Sequence, residues 1–120
     1  MIGIDEAVWI VEGQVYSEFQ RVWWRVVQEE VPDFQVYIWG SVITDEEEPT
    51  DLDVIIAYEA EHVGDEKEES IRGWLQDEVY VDEFEHLDPV VTSVEQVEEI
   101  LDNSRAEQIY CVESKEMVEY

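Results

Sequence analysis

Positive charge is scarce in this chain. Six Lys and Arg stand against 33 Asp and Glu, giving a formal net charge of −27 over 120 residues. Phosphate contacts depend on such cations, so loose electrostatic binding to nucleic acid or to an anionic membrane is disfavoured. Cysteine occurs once, at Cys111, which excludes an intramolecular disulfide and a multi-cysteine zinc site. Within Ile109-Tyr110-Cys111-Val112 it reads as a small buried hydrophobe. Long apolar runs are missing too. The longest uncharged stretch, Phe34 to Thr44, falls short of the roughly 20 apolar residues that a spanning helix needs. Met1 to Glu6 has no basic region leading an apolar stretch, so no signal peptide is expected and the expected location is cytoplasmic. With three Pro, five Gly, no internal repeat and no Ser-rich linker, one domain over residues 1–120 is expected.

What is present is core material. Hydrophobic residues make up 45% and aromatics 12%, too much for a disordered acidic tail, so the charge sits on a folded body. At low ionic strength its carboxylates repel one another and weaken the compact state. In molar salt the screening length falls to about 3 Å and the repulsion fades. The composition therefore suits a highly saline, halophilic cytoplasm, and acidity by itself marks no site.

The apolar pattern predicts a mixed α/β domain with helices flanking a small sheet. Val8-Trp9-Ile10-Val11 reads as a short strand or extended lead-in. Val15, Phe19, Val22, Trp23, Val26 and Val27 give a helix from Gln14 to about Glu30, stopped by Pro32 and Asp33. Phe34–Trp39 and Asp51–Tyr58 read as strands joined by a polar loop. A helix is expected over Glu61–Asp77, and a strand over Val79–Phe84. The next helix should run from Ser93, as N-cap, to Asn103. A last strand is expected within Ala106–Val112.

The chemistry-bearing segment is Trp39-Gly40-Ser41, then nine residues, then Asp51-Leu52-Asp53-Val54. Alternation along a strand puts Asp51 and Asp53 side by side on one face. Two like charges so placed call for a positive partner, and Mg²⁺ commonly binds one or two carboxylates together with substrate phosphates. Gly40 permits a sharp turn and close backbone approach, and Ser41 offers a hydroxyl and an amide donor.

This pattern resembles the signature of the DNA polymerase β-like nucleotidyltransferases, and the chain is most similar to their small minimal nucleotidyltransferase type. The resemblance implies a nucleotidyltransferase fold using Mg²⁺ or Mn²⁺. Asp51 and Asp53 would be metal ligands, and Gly40 and Ser41 would bind the phosphates of an NTP, expected to be ATP. A third carboxylate on a later strand would complete the site. The match is Asp82 in Val81-Asp82-Glu83-Phe84, with Glu85, or Glu83 in a shifted register, as alternatives. The implied reaction passes a nucleoside monophosphate, expected to be AMP, to a hydroxyl or phosphate acceptor.

The loop Val42–Thr50 departs from the family by carrying Asp45-Glu46-Glu47-Glu48 and no basic residue. That fits a solvated loop in a saline cell, or a catalytically weak binding module on the same fold. The family's pairing with helical HEPN-type proteins in toxin–antitoxin systems would suit the second reading, as would Trp24, Tyr16 and Gln20 on an outer helix face. His62 and His86, each beside acids, read as solvated histidines, and Arg21 and Arg25 as partners of nearby acids.

Overall fold

A computed structural model describes residues 4–40, 51–79, 86–104 and 108–119. The chain opens with helix α1 (Ile4–Ile10), a π turn (Val11–Val15) and helix α2 (Tyr16–Val27) in direct succession. The strand or extended lead-in expected at Val8–Val11 is thus helical. Ala7, Ile10, Val11, Val15, Phe19, Val22, Trp23 and Val27 are all buried, so helical spacing extends well before Gln14 and makes one apolar stripe. Helix α2 ends before Glu30, at left-handed Gln28 (φ 59°), whose N–H donates to the Trp24 carbonyl.

Strands β1 (Phe34–Trp39) and β2 (Asp51–Tyr58) follow, then helix α3 (Asp65–Glu78) and strand β3 (His86–Ser93). A 3₁₀ turn (Val94–Gln96) leads into α4 (Val97–Ser104), and a β4 (Gln108–Cys111) and β5 (Glu116–Glu119) hairpin closes the chain. The sheet order is β3-β2-β1-β4-β5. β2 and β3 are parallel, joined through α3, and the other pairs are antiparallel. The mixed α/β class read from the sequence is the observed one.

Other boundaries differ from expectation as well. Helix α3 starts at Asp65 instead of Glu61. Val79, expected to open a strand, caps α3 with its N–H on the Leu75 carbonyl, and residues 80–85 lie outside the described set. Among the described residues, the strand after α3 is β3, whose run Val90-Val91-Thr92 pairs beside β2 as far as Ser93↔Tyr58. Ser93 therefore stays extended and makes no side-chain cap, and α4 begins only at Val97.

One sheet face, through Val36, Ile38, Leu52, Val54, Ile56, Leu87 and Val91, packs in a core with Phe19, Trp23, Ile71 and Leu75 of the helices. The rings of Phe19 and Phe34 lie 4.6 Å apart, and those of Trp23 and Tyr58 5.0 Å apart. On the second face Tyr37, Trp39, Ile55 and Val90 pack with Val97 and Leu101 of α4. No helix among the described residues is long and apolar enough to cross a membrane. Phe19 has no exposed surface, whereas Trp24 is 60% exposed. Phe19→Ala should therefore cost about 3–5 kcal/mol of stability. Trp24→Ala should stay within about 0.5 kcal/mol. Denaturant unfolding in molar KCl measures both.

Candidate functional site

Leu52 and Val54 are fully buried in the helical core, so the alternation of β2 turns Asp51 and Asp53 to the sheet's second face. They lie on that face beyond the patch where α4 packs, and both are half-buried. The parallel register sets Asp51 opposite His86 and Asp53 opposite Asp88. Register partners on adjacent strands face the same side, so His86 and Asp88 join the two expected carboxylates.

The parallel register sets the Asp53 and Asp88 side chains beside each other on this face, two like charges in adjacent positions. The Asp53 carboxyl is accordingly pushed up to about 7, first by burial, then by the charge and hydrogen bond of Asp88, and last by Asp51. Gly40 closes the site from the end of β1. Its φ of 79° belongs to the left-handed region that favours glycine, and a Cβ there would collide with the Asp53 carboxylate oxygen Oδ2. Any other side chain at position 40 would take the space that the Asp53 carboxylate occupies.

Helix α3 adds a cation. Arg72 donates from Nη2 to Asp88 Oδ1 at 3.0 Å and from Nε to the Pro89 carbonyl at 2.9 Å. It reaches that carbonyl because β3 is an edge strand, with its outer side unpaired. Beside Asp88 a cleft of about 550 Å³ is lined by Trp39, Arg72, Asp88, Val90, Glu68 and Asp65, among others.

The structure thus brings together Gly40, Asp51 and Asp53 of the expected site. Ser41 and the loop to Thr50 lie outside the described residues, as do Asp82, Glu83 and Glu85. Among the described residues, the later-strand carboxylate that meets the pair is Asp88. Its signal was present as Leu87-Asp88-Pro89, a hydrophobic-Asp-hydrophobic triplet inside a polar–apolar alternation. Pro89 obscured it, because proline usually argues against a strand. An edge strand can hold it, having one side that needs no N–H.

Elsewhere, Arg21 contacts Glu18 and Glu78, and Arg25 lies near Glu78 and over the Trp74 ring, so neither is at the carboxylate face. Tyr16 is not a free outer aromatic: its hydroxyl donates to Glu113 and its ring packs on Phe34. His62 is not merely solvated either. Its nitrogens lie 3.2 Å from Glu68 and 3.4 Å from Asp65, and Glu68 also accepts from the Tyr58 hydroxyl. Among the described residues, it is this His62–Asp65–Glu68 group whose ligand atoms, all within 4.8 Å of one another, are placed to hold a metal ion; Asp51, Asp53 and Asp88 are not drawn together to that degree.

Asp51, Asp53 and Asp88 put three hard oxygen donors on one sheet face, the donor type that a divalent cation such as Mg²⁺ takes. Against known proteins, no family model, curated protein or solved structure matches this chain.

Asp53 has a carboxyl raised above its unfolded value, so its ionisation opposes folding. That penalty grows from pH ~4 to pH ~7 and is constant above. Asp53→Asn should then stabilise the protein at pH 8 by about 1–2 kcal/mol, a figure set below the full shift because the side chain is partly solvated. The gain should vanish by about pH 4, as unfolding measured across that range would show. Gly40→Ala should destabilise the wild type by more than about 1 kcal/mol and cost less in an Asp53→Ala background, which a double-mutant cycle reads directly.

Proposed function

We propose that this chain is a metal-dependent nucleotidyltransferase, passing a nucleoside monophosphate, AMP from ATP, to a hydroxyl or phosphate acceptor. The observation that carries the reading is the placing of Asp51, Asp53 and Asp88 on one sheet face by the β2–β3 register, with the Asp53 carboxylate against the bare backbone of Gly40. Neighbouring carboxylates call for a positive partner, which a divalent cation would supply, and only glycine at position 40 leaves the Asp53 carboxylate its space. In this reading Asp51, Asp53 and Asp88 hold Mg²⁺ or Mn²⁺, and Asp88 takes the role that the family resemblance put on Asp82. The ions supply charge neutralisation on the triphosphate and activation of the acceptor oxygen.

The chain's own part is positioning and proton handling. The Gly40 turn presents backbone to the phosphates, with Ser41 following it in sequence. The carboxylates orient the acceptor and receive its proton as its oxygen attacks the α-phosphorus and pyrophosphate departs. A cytoplasmic setting of high salt suits both the composition and a nucleotide substrate.

A second reading keeps the fold and weakens the catalysis, the protein acting through a helical partner of HEPN type. It is favoured by Trp9 and Trp24, exposed by 76% and 60% on the first two helices.

Calorimetry in molar KCl separates the two. Wild type should bind ATP only with Mg²⁺ or Mn²⁺, and binding should vanish in Asp51→Asn/Asp53→Asn and fall at least about tenfold in Asp88→Asn. Because proton and cation compete, metal affinity should weaken about tenfold per pH unit below pH ~7. A folded wild type that binds no nucleotide sinks the catalytic reading and leaves the partner reading to a pull-down.

A further inference from the structure

The sequence leaves one electrostatic question open: the loop Val42–Thr50 has no basic residue to meet a polyphosphate. Arg21, Arg25 and Lys115 are engaged with Glu18, Glu78 and Glu12, away from the carboxylates; Lys67 is exposed on α3, and Arg105 lies outside the described residues. Arg72, by contrast, touches Asp88 directly and lines the cleft that begins there. We propose that Arg72 is the residue that binds the polyphosphate of the nucleotide, doing from helix α3 what the acidic loop cannot. This rests on the nucleotidyltransferase reading and goes beyond it by naming a residue and a subsite that the Gly-Ser…Asp-x-Asp pattern does not contain.

Three features support the assignment. The guanidinium is anchored rather than free: Nε is fixed on the Pro89 carbonyl, a main-chain atom of the strand that carries Asp88. An arginine so held presents its planar fork in a set direction, which is the geometry that favours paired contacts with phosphate oxygens. Its Nη2 is occupied by Asp88 Oδ1 at 3.0 Å, while Nη1 has only Glu69, at 3.6 Å, beyond hydrogen-bond distance. The contact with Asp88 is also exchangeable. Were Asp88 to hold a cation, its contact with Arg72 would be given up and Nη2 would be free for a phosphate oxygen, so one carboxylate would couple the two. The cleft beside Arg72, about 550 Å³, has Trp39 in its wall and Asp65, Glu68, Glu69 and Asp88 around it, so Arg72 is the one cation among its lining residues.

The test uses Arg72→Gln and Arg72→Lys in the full chain, with circular dichroism confirming the fold, and titrates Mn²⁺ alone and ATP in saturating Mn²⁺ by calorimetry in molar KCl. Arg72→Gln should weaken ATP about tenfold while Mn²⁺ alone changes less than about threefold, since the charge removed is not a cation ligand. Arg72→Lys should fall between, keeping the charge and losing the fork. Equal losses of Mn²⁺ and ATP affinity in Arg72→Gln would make Arg72 only a support for Asp88 and overturn the proposal. Unchanged ATP affinity would overturn it as well, leaving the parent reading intact. A wild type that binds Mn²⁺ but no ATP would remove both.

Discussion

The parallel pairing of β2 with β3 sets everything else at this site. It runs in unbroken register from Asp51↔His86 to Tyr58↔Ser93. The same register sets Leu52 beside Leu87, Val54 beside Pro89 and Ile56 beside Val91 on the face that packs against the helices. A slip of one residue would turn Asp88 into that core and bring Leu87 out to face Asp53. Burying an unpaired carboxylate costs several kcal/mol, and exposing leucine forfeits about 2 more. The apolar face therefore holds the acidic one in place. The repulsion between Asp53 and Asp88 is imposed by packing that neither residue takes part in, and with burial it raises the Asp53 carboxyl.

Cation placement follows a related logic. Arg21 and Arg25 tie α2 to Glu78 at the end of α3, on side chains that are 34–45% exposed. Such solvent-exposed pairs contribute little to stability, and less in salt. Arg72 differs because one of its two hydrogen bonds ends on a main-chain carbonyl of an edge strand. That bond satisfies a backbone acceptor which no neighbouring strand reaches, so the arginine is retained for the fold as well as for the charge it sets beside Asp88. Its cost is shared between structure and site.

How far this could be read from the sequence depended on period and on boundaries. Asp51 and Asp53 were legible because a strand's period of two is strict, and Gly40 because a strand that ends on glycine signals a turn. Asp88 was not, because Pro89 reads as a break in a strand, and only the knowledge that β3 lies at the sheet edge among the described strands removes that objection. The first helix was missed for a different reason. Four apolar residues in a row, Val8 to Val11, carry no period of their own, and the helical stripe is visible only when Ala7, Val15 and Phe19 are counted with them. Arg72 gave no local signal, since its role comes from the strand it reaches across to and not from its neighbours on α3.

Acidity poses the last question, because a chain with 33 acids offers many pairs of neighbouring carboxylates. Salt separates them into two kinds. Exposed carboxylates are several ångströms apart with solvent between, and molar salt, with a screening length near 3 Å, removes most of their repulsion. Asp53 and Asp88 are register partners on adjacent strands and half-buried, where salt screens less than between exposed groups. Their repulsion is relieved by a proton, the Asp53 carboxyl being pushed up to about 7, or by a cation held close to both. A surface adapted to salt needs no such pair, and composition cannot account for one that packing enforces and glycine accommodates. The physical difference between these carboxylates and the rest is thus not how many there are but what is able to come between them.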